Sequence, residues 1–224
     1  SSAASDVYKR QKYMCMKDEW KEKLEYVTHF YMDLSWRQQY VGILKMEYDG
    51  ITFYFIDNEF YFNGFAPYGD MYADIEKFAF FSKAVLSALP MIDFRPDIIH
   101  CHDWQTGLVP VFLDNFRYGN EWYRGIKTVM TIHNLKFQGT WDTKRVRDIT
   151  GLPQYYFAPD KLEAYKDANF LKGGIVYADR ITTVSNTYAQ EIQTAYYGEG
   201  LDGLLSARNQ SLFGIVNGVD YSLY

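Results

Sequence analysis

Three of the four histidines of this chain, with polar neighbours, fall in two short segments that tell the most about its chemistry: His100-Cys101-His102-Asp103-Trp104-Gln105-Thr106-Gly107 and His133-Asn134-Leu135-Lys136-Phe137-Gln138-Gly139. Each follows a strand-like apolar run. Open parallel α/β sheets bind ligands just past the carboxyl ends of their strands, so both segments read as site-forming. His100 and His102 are two apart on a strand and point to one face, which is also how metallohydrolases present two imidazoles to a metal. The chain has only four histidines, however, and His29 lies far upstream in a charged region. His133 is then the sole further imidazole, with no Cys or Glu cluster to complete a ligand set, and no metal site is expected. The plainer reading of His100 is a hydrogen-bonded core residue.

An acidic residue at the end of an apolar strand is costly to bury unless its charge or hydrogen bonds are used. Asp103 is therefore either the N-cap of the helix that follows or a group that a site needs. His133 closes the run Thr128–Ile132, and Asn134 beside it brings both a donor and an acceptor. Asn217 stands before Gly218, where a turn is the plain reading. Tyr68, in Ala66-Pro67-Tyr68-Gly69, is by itself a loop aromatic over a sheet. Gly198-Glu199-Gly200-Leu201 opens a helix but lacks the full Gly-x-Gly-x-x-Gly pattern and follows no strand, so it reads as a loop rather than a phosphate cradle.

The elements that must position these residues can be read from periodicity. Lys17–Tyr26 suggests a short charged helix, and Tyr40–Glu47 and Ile51–Ile56 are β-rich runs joined at Asp49-Gly50, a hairpin signal. From Asp74, a candidate N-cap, apolar residues recur at helical spacing up to Pro90. Beyond it the pattern alternates. Strands are expected at Asp97–His102, Ile126–His133, Arg180–Val184 and Leu212–Val216, and helices at Thr106–Phe116, Leu171–Ala178, Thr187–Thr194 and Leu201–Arg208. Alternation of this kind predicts an α/β fold with a mostly parallel, Rossmann-like sheet, helices on both faces, and an antiparallel hairpin near the start.

Composition narrows the partners. With 224 residues and 48% apolar content the chain can bury a sizeable core. A net charge of −5 argues against nucleic acid or an anionic membrane surface and for a neutral partner. Nineteen per cent of the residues are aromatic, of a kind whose flat faces pack well on sugar rings. Cys15 and Cys101 are too few for a disulfide framework, and no apolar run has transmembrane length, so a cytoplasmic location is expected. Residues 1–12 look like a leader or assembly scar, and the fold is expected to occupy 13–224.

The two polar segments resemble the amino-terminal half of bacterial glycogen and starch synthases. So do Tyr61–Tyr68, Phe170–Asp179, Ile181–Ser185 and Gly214–Asp220. The resemblance implies the amino-terminal Rossmann-like half of a GT-B glycosyltransferase, incomplete at both ends. The activity it implies is retaining transfer of glucose from ADP-glucose to the non-reducing end of an α-1,4-glucan. It assigns catalytic roles to Asp103 and His133, and sugar contacts to Tyr68, His133, Asn134 and Asn217. The implied partners are the donor, the glucan acceptor and a carboxy-terminal domain that carries the cations for the departing ADP, with no separate cofactor. The family's Lys-Thr-Gly-Gly loop has no counterpart here, so the chain alone is expected to be inactive. The rival readings are a glucan-binding module without catalysis and a His-x-His metallohydrolase.

Overall fold

The structure is a computed structural model, and it describes residues 7–11, 16–64 and 66–218, the first five by backbone alone. Cys15, Phe65, Val219 and Asp220 lie outside the described residues. The chain divides into two compact units, Ser1–Arg95 with Lys144–Leu152, and Pro96–Thr143 with Pro153–Tyr224.

In the first unit β1 (Val7–Gln11) is followed by a single-turn helix α1 (Asp18–Lys21) and three strands, β2 (Glu25–Leu34), β3 (Arg37–Tyr48) and β4 (Ile51–Asp57). The sheet order is β1-β4-β3-β2. The β3–β4 hairpin turns where the sequence signals it, with Asp49 and Gly50 at φ 52° and 74°, the paired positive angles of a two-residue turn whose twist matches its strands. Two expectations need correction. Glu25 and Tyr26 begin a strand rather than end a helix; in β2, Met32 and Leu34 are buried while Tyr31 and Asp33 face outward, a period-2 pattern masked by the polar outer face. Val7–Gln11, set aside on composition, pairs in parallel with β4, whose open edge offers unpaired backbone groups.

After α2 (Glu59–Phe62) comes the long helix α3 (Met71–Met91), in which Asp74 through Ser82 are all buried. Its N-cap is Asp70, which accepts from the Ala73 N–H, not Asp74 as expected. Asp74 sits one turn inside, where it accepts from Lys77 Nζ at 2.6 Å and from the Gly69 N–H. Glu76 accepts from Arg37 and, at 2.8 Å, from the Tyr61 hydroxyl. Burial first, and then Glu76, pushes the Tyr61 hydroxyl pKa up, so it remains a donor.

The second unit carries the alternating pattern: β5 (Ile98–His102), α4 (Leu108–Gly119), β6 (Lys127–Ile132), β7 (Thr140–Asp142), then α5 (Thr143–Thr150), whose length falls mostly in the first unit. It continues with β8 (Glu163–Ala164), β9 (Asp167–Asn169), α6 (Phe170–Tyr177), β10 (Arg180–Thr183), α7 (Asn186–Glu191), α8 (Asp202–Ala207) and β11 (Leu212–Gly214). Strands β11-β10-β6-β5 form one sheet, parallel throughout. The small antiparallel sheet β7-β9-β8 carried no strand signal in the sequence, its strands being two or three residues long. One face of the parallel sheet is buried through Cys101, Met130, Ile132 and Ile181, while Ile98, His100, His102 and Phe213 on the other are exposed. Helices α4 and α6 pack closely because Gly107 has no side chain: a Cβ there would stand 2.2 Å from the Phe170 carbonyl oxygen.

Candidate functional site

Strands β5 and β6 run parallel in a register that sets His102 beside Thr131, so the residues just beyond them, Asp103 and His133, emerge at the same sheet edge. Asp103 turns the chain sharply, at φ 55° and ψ −172°, a region that side chains other than glycine rarely occupy. Its N–H donates to the Thr131 carbonyl at 2.9 Å, and its carbonyl accepts from the Thr106 N–H. The side chain makes no cap to the helical turn that follows. Instead Oδ1 accepts the backbone N–H of His133 at 2.8 Å, across to the neighbouring strand. The N-cap reading of Asp103 therefore fails, because the strained turn swings the carboxylate away from the helix. Among the described residues Oδ2 has no hydrogen-bond partner.

Three imidazoles gather beside it. The rings of His100 and His102 lie 4.3 Å apart on one face, as their spacing predicts, and the His133 ring stacks 5.4 Å beyond His102. Their nitrogens point to protein partners: His100 Nε2 to the Thr131 hydroxyl at 2.6 Å, and His102 Nδ1 to His133 Nε2 at 3.1 Å. Among the described residues no group of three or more His, Cys, Asp or Glu is arranged to hold a metal. His100 is exposed rather than a core residue, yet its inner edge lies against the threonine, and burial together with the nearby His133 lowers its pKa from 6.5. Polar contacts continue along the strands, since Thr131 and Thr182 join their hydroxyls at 2.6 Å. On the opposite face of β5 the Cys101 thiol is fully buried, and burial pushes its pKa up to about 12, which leaves it an unreactive core residue.

The remaining sequence-predicted residues are more dispersed. Asn134 is exposed, and its Oδ1 accepts from the Lys136 N–H, which folds the loop after β6. Asn217 is exposed a few residues past β11. Tyr68 belongs to the first unit, where it is 59% exposed and lines a cavity of about 380 Å³ with Tyr61, Asp74, Glu76 and Lys77. Gly198–Gly200 is a loop, as read, held by Gln138 donating to the Glu199 carbonyl and Tyr165 donating to the Gly200 carbonyl. Sequence reasoning passed over His102 as a partner of His133, and over Thr131 and Thr182; their placement on alternate positions of adjacent strands was the available signal.

At the carboxyl edge of its sheet the second unit thus offers an uncommitted carboxylate oxygen of Asp103 and Nδ1 of His133, with exposed Asn134 next in the chain, a set suited to hydroxyl groups that both donate and accept. Comparison with known proteins agrees with the sequence resemblance. The family described as "Starch synthase catalytic domain" matches residues 10–207. A glycogen synthase of Lachnoclostridium phytofermentans is 68% identical over 212 residues, covering 95% of this chain and 44% of the relative. A second, from Lachnospira eligens, is 67% identical, over 95% of this chain and 45% of that protein. Among solved structures, the catalytic domain of starch synthase IV from Arabidopsis thaliana, bound to ADP and acarbose, superposes with a TM-score of 0.83 at 29% identity, covering 96% of this chain and 44% of that one. The chain spans less than half the length of these relatives. From its folded α/β pattern to its strand-end motifs, the chain belongs to the starch synthase catalytic domain family, as an amino-terminal portion of a GT-B fold.

Proposed function

We propose that the protein serves as a retaining glucosyltransferase of glycogen or starch synthesis, moving glucose from ADP-glucose to the 4-hydroxyl at the non-reducing end of an α-1,4-glucan. The observation that carries this reading is Asp103: a strained backbone holds its carboxylate beside His133 at the carboxyl edge of the sheet, with one oxygen left for a ligand. Asp103 and His133 form the reacting wall, and Tyr68, Asn134 and Asn217 contribute contacts to sugar. ADP as a ligand of the Arabidopsis relative fits a donor that leaves ADP behind. The donor serves as substrate, so no further cofactor enters the scheme. The reading assigns no metal, since the sequence has no Cys or Glu cluster to complete a ligand set beside the histidines. A carboxy-terminal domain would complete the cleft, and the enzyme would work in the cytoplasm; among the described residues no helix is long and apolar enough to cross a membrane.

Bond cleavage places growing negative charge on ADP, and the described strand-end cluster consists of a carboxylate and imidazoles rather than fixed cations. Losing one preorganised group that stabilises developing charge costs about 100-fold to 1,000-fold in rate. The 224-residue chain alone should therefore transfer no detectable glucose. The test is incubation with labelled ADP-glucose and a maltooligosaccharide, for the chain alone and for a version completed to the length of its relatives. Extension by the completed version only, abolished by His133→Ala, is the expected result. Extension by the chain alone, or a completed version indifferent to His133→Ala, would overturn the assignment.

A further inference from the structure

The proposed reaction assigns His102 no role. Its surroundings are nevertheless the most constrained of the cluster. Thr106 clamps its backbone from both sides, since the hydroxyl accepts from the His102 N–H at 2.6 Å and donates to the His102 carbonyl at 2.8 Å. Its ring lies between those of His100 and His133, with centroid separations of 4.3 and 5.4 Å. Nδ1 then faces His133 Nε2 at 3.1 Å, while the main chain of His133 is fixed by Asp103. One nitrogen of His133 is taken, and its Nδ1 has no hydrogen-bond partner among the described residues.

We propose that His102 is a positioning residue that holds the His133 ring in one orientation and couples the donor or acceptor role of the free His133 Nδ1 to its own tautomer. The reasoning is proton counting. Two neutral imidazoles that share one N···N contact place a single proton in it. If His102 Nδ1 carries that proton, His133 Nε2 accepts it and His133 must carry its own proton on Nδ1, which becomes a donor. If His133 Nε2 carries it, Nδ1 is bare and accepts. The two tautomers interchange together, so the outward nitrogen is matched to either half of a hydroxyl group but cannot offer two donors at once while the pair remains neutral. This favours a polyhydroxylated ligand, and it rests on the reading of His133 as a sugar-facing residue.

The experiment needs no sugar, so its outcome is separate from that of the transfer assay. Ring nitrogens of the four histidines of the ¹⁵N-labelled chain are observed by NMR at a pH where imidazoles are neutral. The wild-type chain should show a scalar coupling between the His102 and His133 nitrogens. His102→Leu should change the tautomer ratio of His133, and His102→Asn, whose amide can reach the position of Nδ1, should restore it. Absence of the coupling overturns the proposal without recourse to any variant. So does a His133 spectrum that is unchanged in His102→Leu, or one altered equally by Leu and Asn, since bulk rather than a hydrogen-bonding nitrogen would then be what matters.

Discussion

Two aspartates of the second unit flank strands of the same parallel sheet, and they use their carboxylates in opposite ways. Asp179, just before β10, accepts from the Thr128 N–H at 2.9 Å, from the Thr128 hydroxyl and from Lys127 Nζ, each at 3.2 Å. Its N–H donates in return to the Thr128 hydroxyl. Both of its oxygens are engaged where β6 and β10 begin. Asp103 stands where β5 ends, in a strained backbone, with one oxygen bonded to a neighbouring N–H and the other uncommitted. A carboxylate whose valences are all met inside the protein holds the sheet together; one that is held rigidly but left incomplete is available to a ligand. In open α/β sheets the carboxyl ends of the strands are where ligands bind, and the positions of the two aspartates accord with that rule.

The comparison breaks most visibly if the two residues can exchange roles. In a version completed to the length of the relatives, Asp103→Gly should lower kcat by about 100-fold, the scale of losing one preorganised group at a reacting centre. Thermal stability should hold or rise, because glycine relieves about 1–3 kcal/mol of backbone strain against about 1 kcal/mol for the lost hydrogen bond. Kinetics and a melting curve on the same sample check both halves; retained turnover would mean that Asp103 is scaffolding.

Asp179→Ala should do the reverse. The Thr128 N–H loses its acceptor in a residue that is 1% exposed, which costs about 1–3 kcal/mol, while turnover per folded molecule stays at the wild-type level. Calorimetry and a rate normalised to folded protein separate the two. A pH scan refines the point. Burial works against the Asp179 carboxylate, yet hydrogen bonds from Thr128 and Lys127 hold its pKa below 3.8. Its stabilisation is therefore complete above that value and is lost as the pH falls through it toward the lower folded-state pKa. Asp179→Asn should flatten that acidic limb.

The smallest effect should come from His100, whose pKa is lowered from 6.5 by burial and by His133. The unfolded chain takes up the proton first, so stability is full above about pH 6.5 and declines as the pH falls below it. His100→Gln should remove that slope from a urea-melt series between about pH 7.5 and 5.5, a range of about two units around the ordinary imidazole value. An unchanged slope would mean that His100 titrates as an ordinary surface residue.

What the sequence disclosed depended on how each feature is encoded. Strands β5, β6 and β10 were legible because each carries a cluster of β-branched residues, and the β3–β4 turn because Asp49 and Gly50 both suit positive φ. Strand β2 was not legible, since its outer face carries Tyr31 and Asp33 and only Met32 and Leu34 are buried. The candidate site was legible in its residue types but not in their wiring. That Asp103 reaches His133 rather than its own helix depends on one backbone torsion pair, and no local pattern of residues specifies that. The pairing of His102 with His133 depends on strand register, which is set by the whole sheet.

The most direct test of the central claim, that the carboxyl edge of the parallel sheet faces sugar while the opposite edge holds structure, is a ligand titration followed by NMR. The His133 ring signals and the Thr128 amide are observed together in the completed version as ADP-glucose and a maltooligosaccharide are added. The expected result is a saturable shift at His133, lost in Asp103→Gly, with the Thr128 amide beside Asp179 unmoved. A His133 signal that stays fixed while glucose is being transferred would contradict the account.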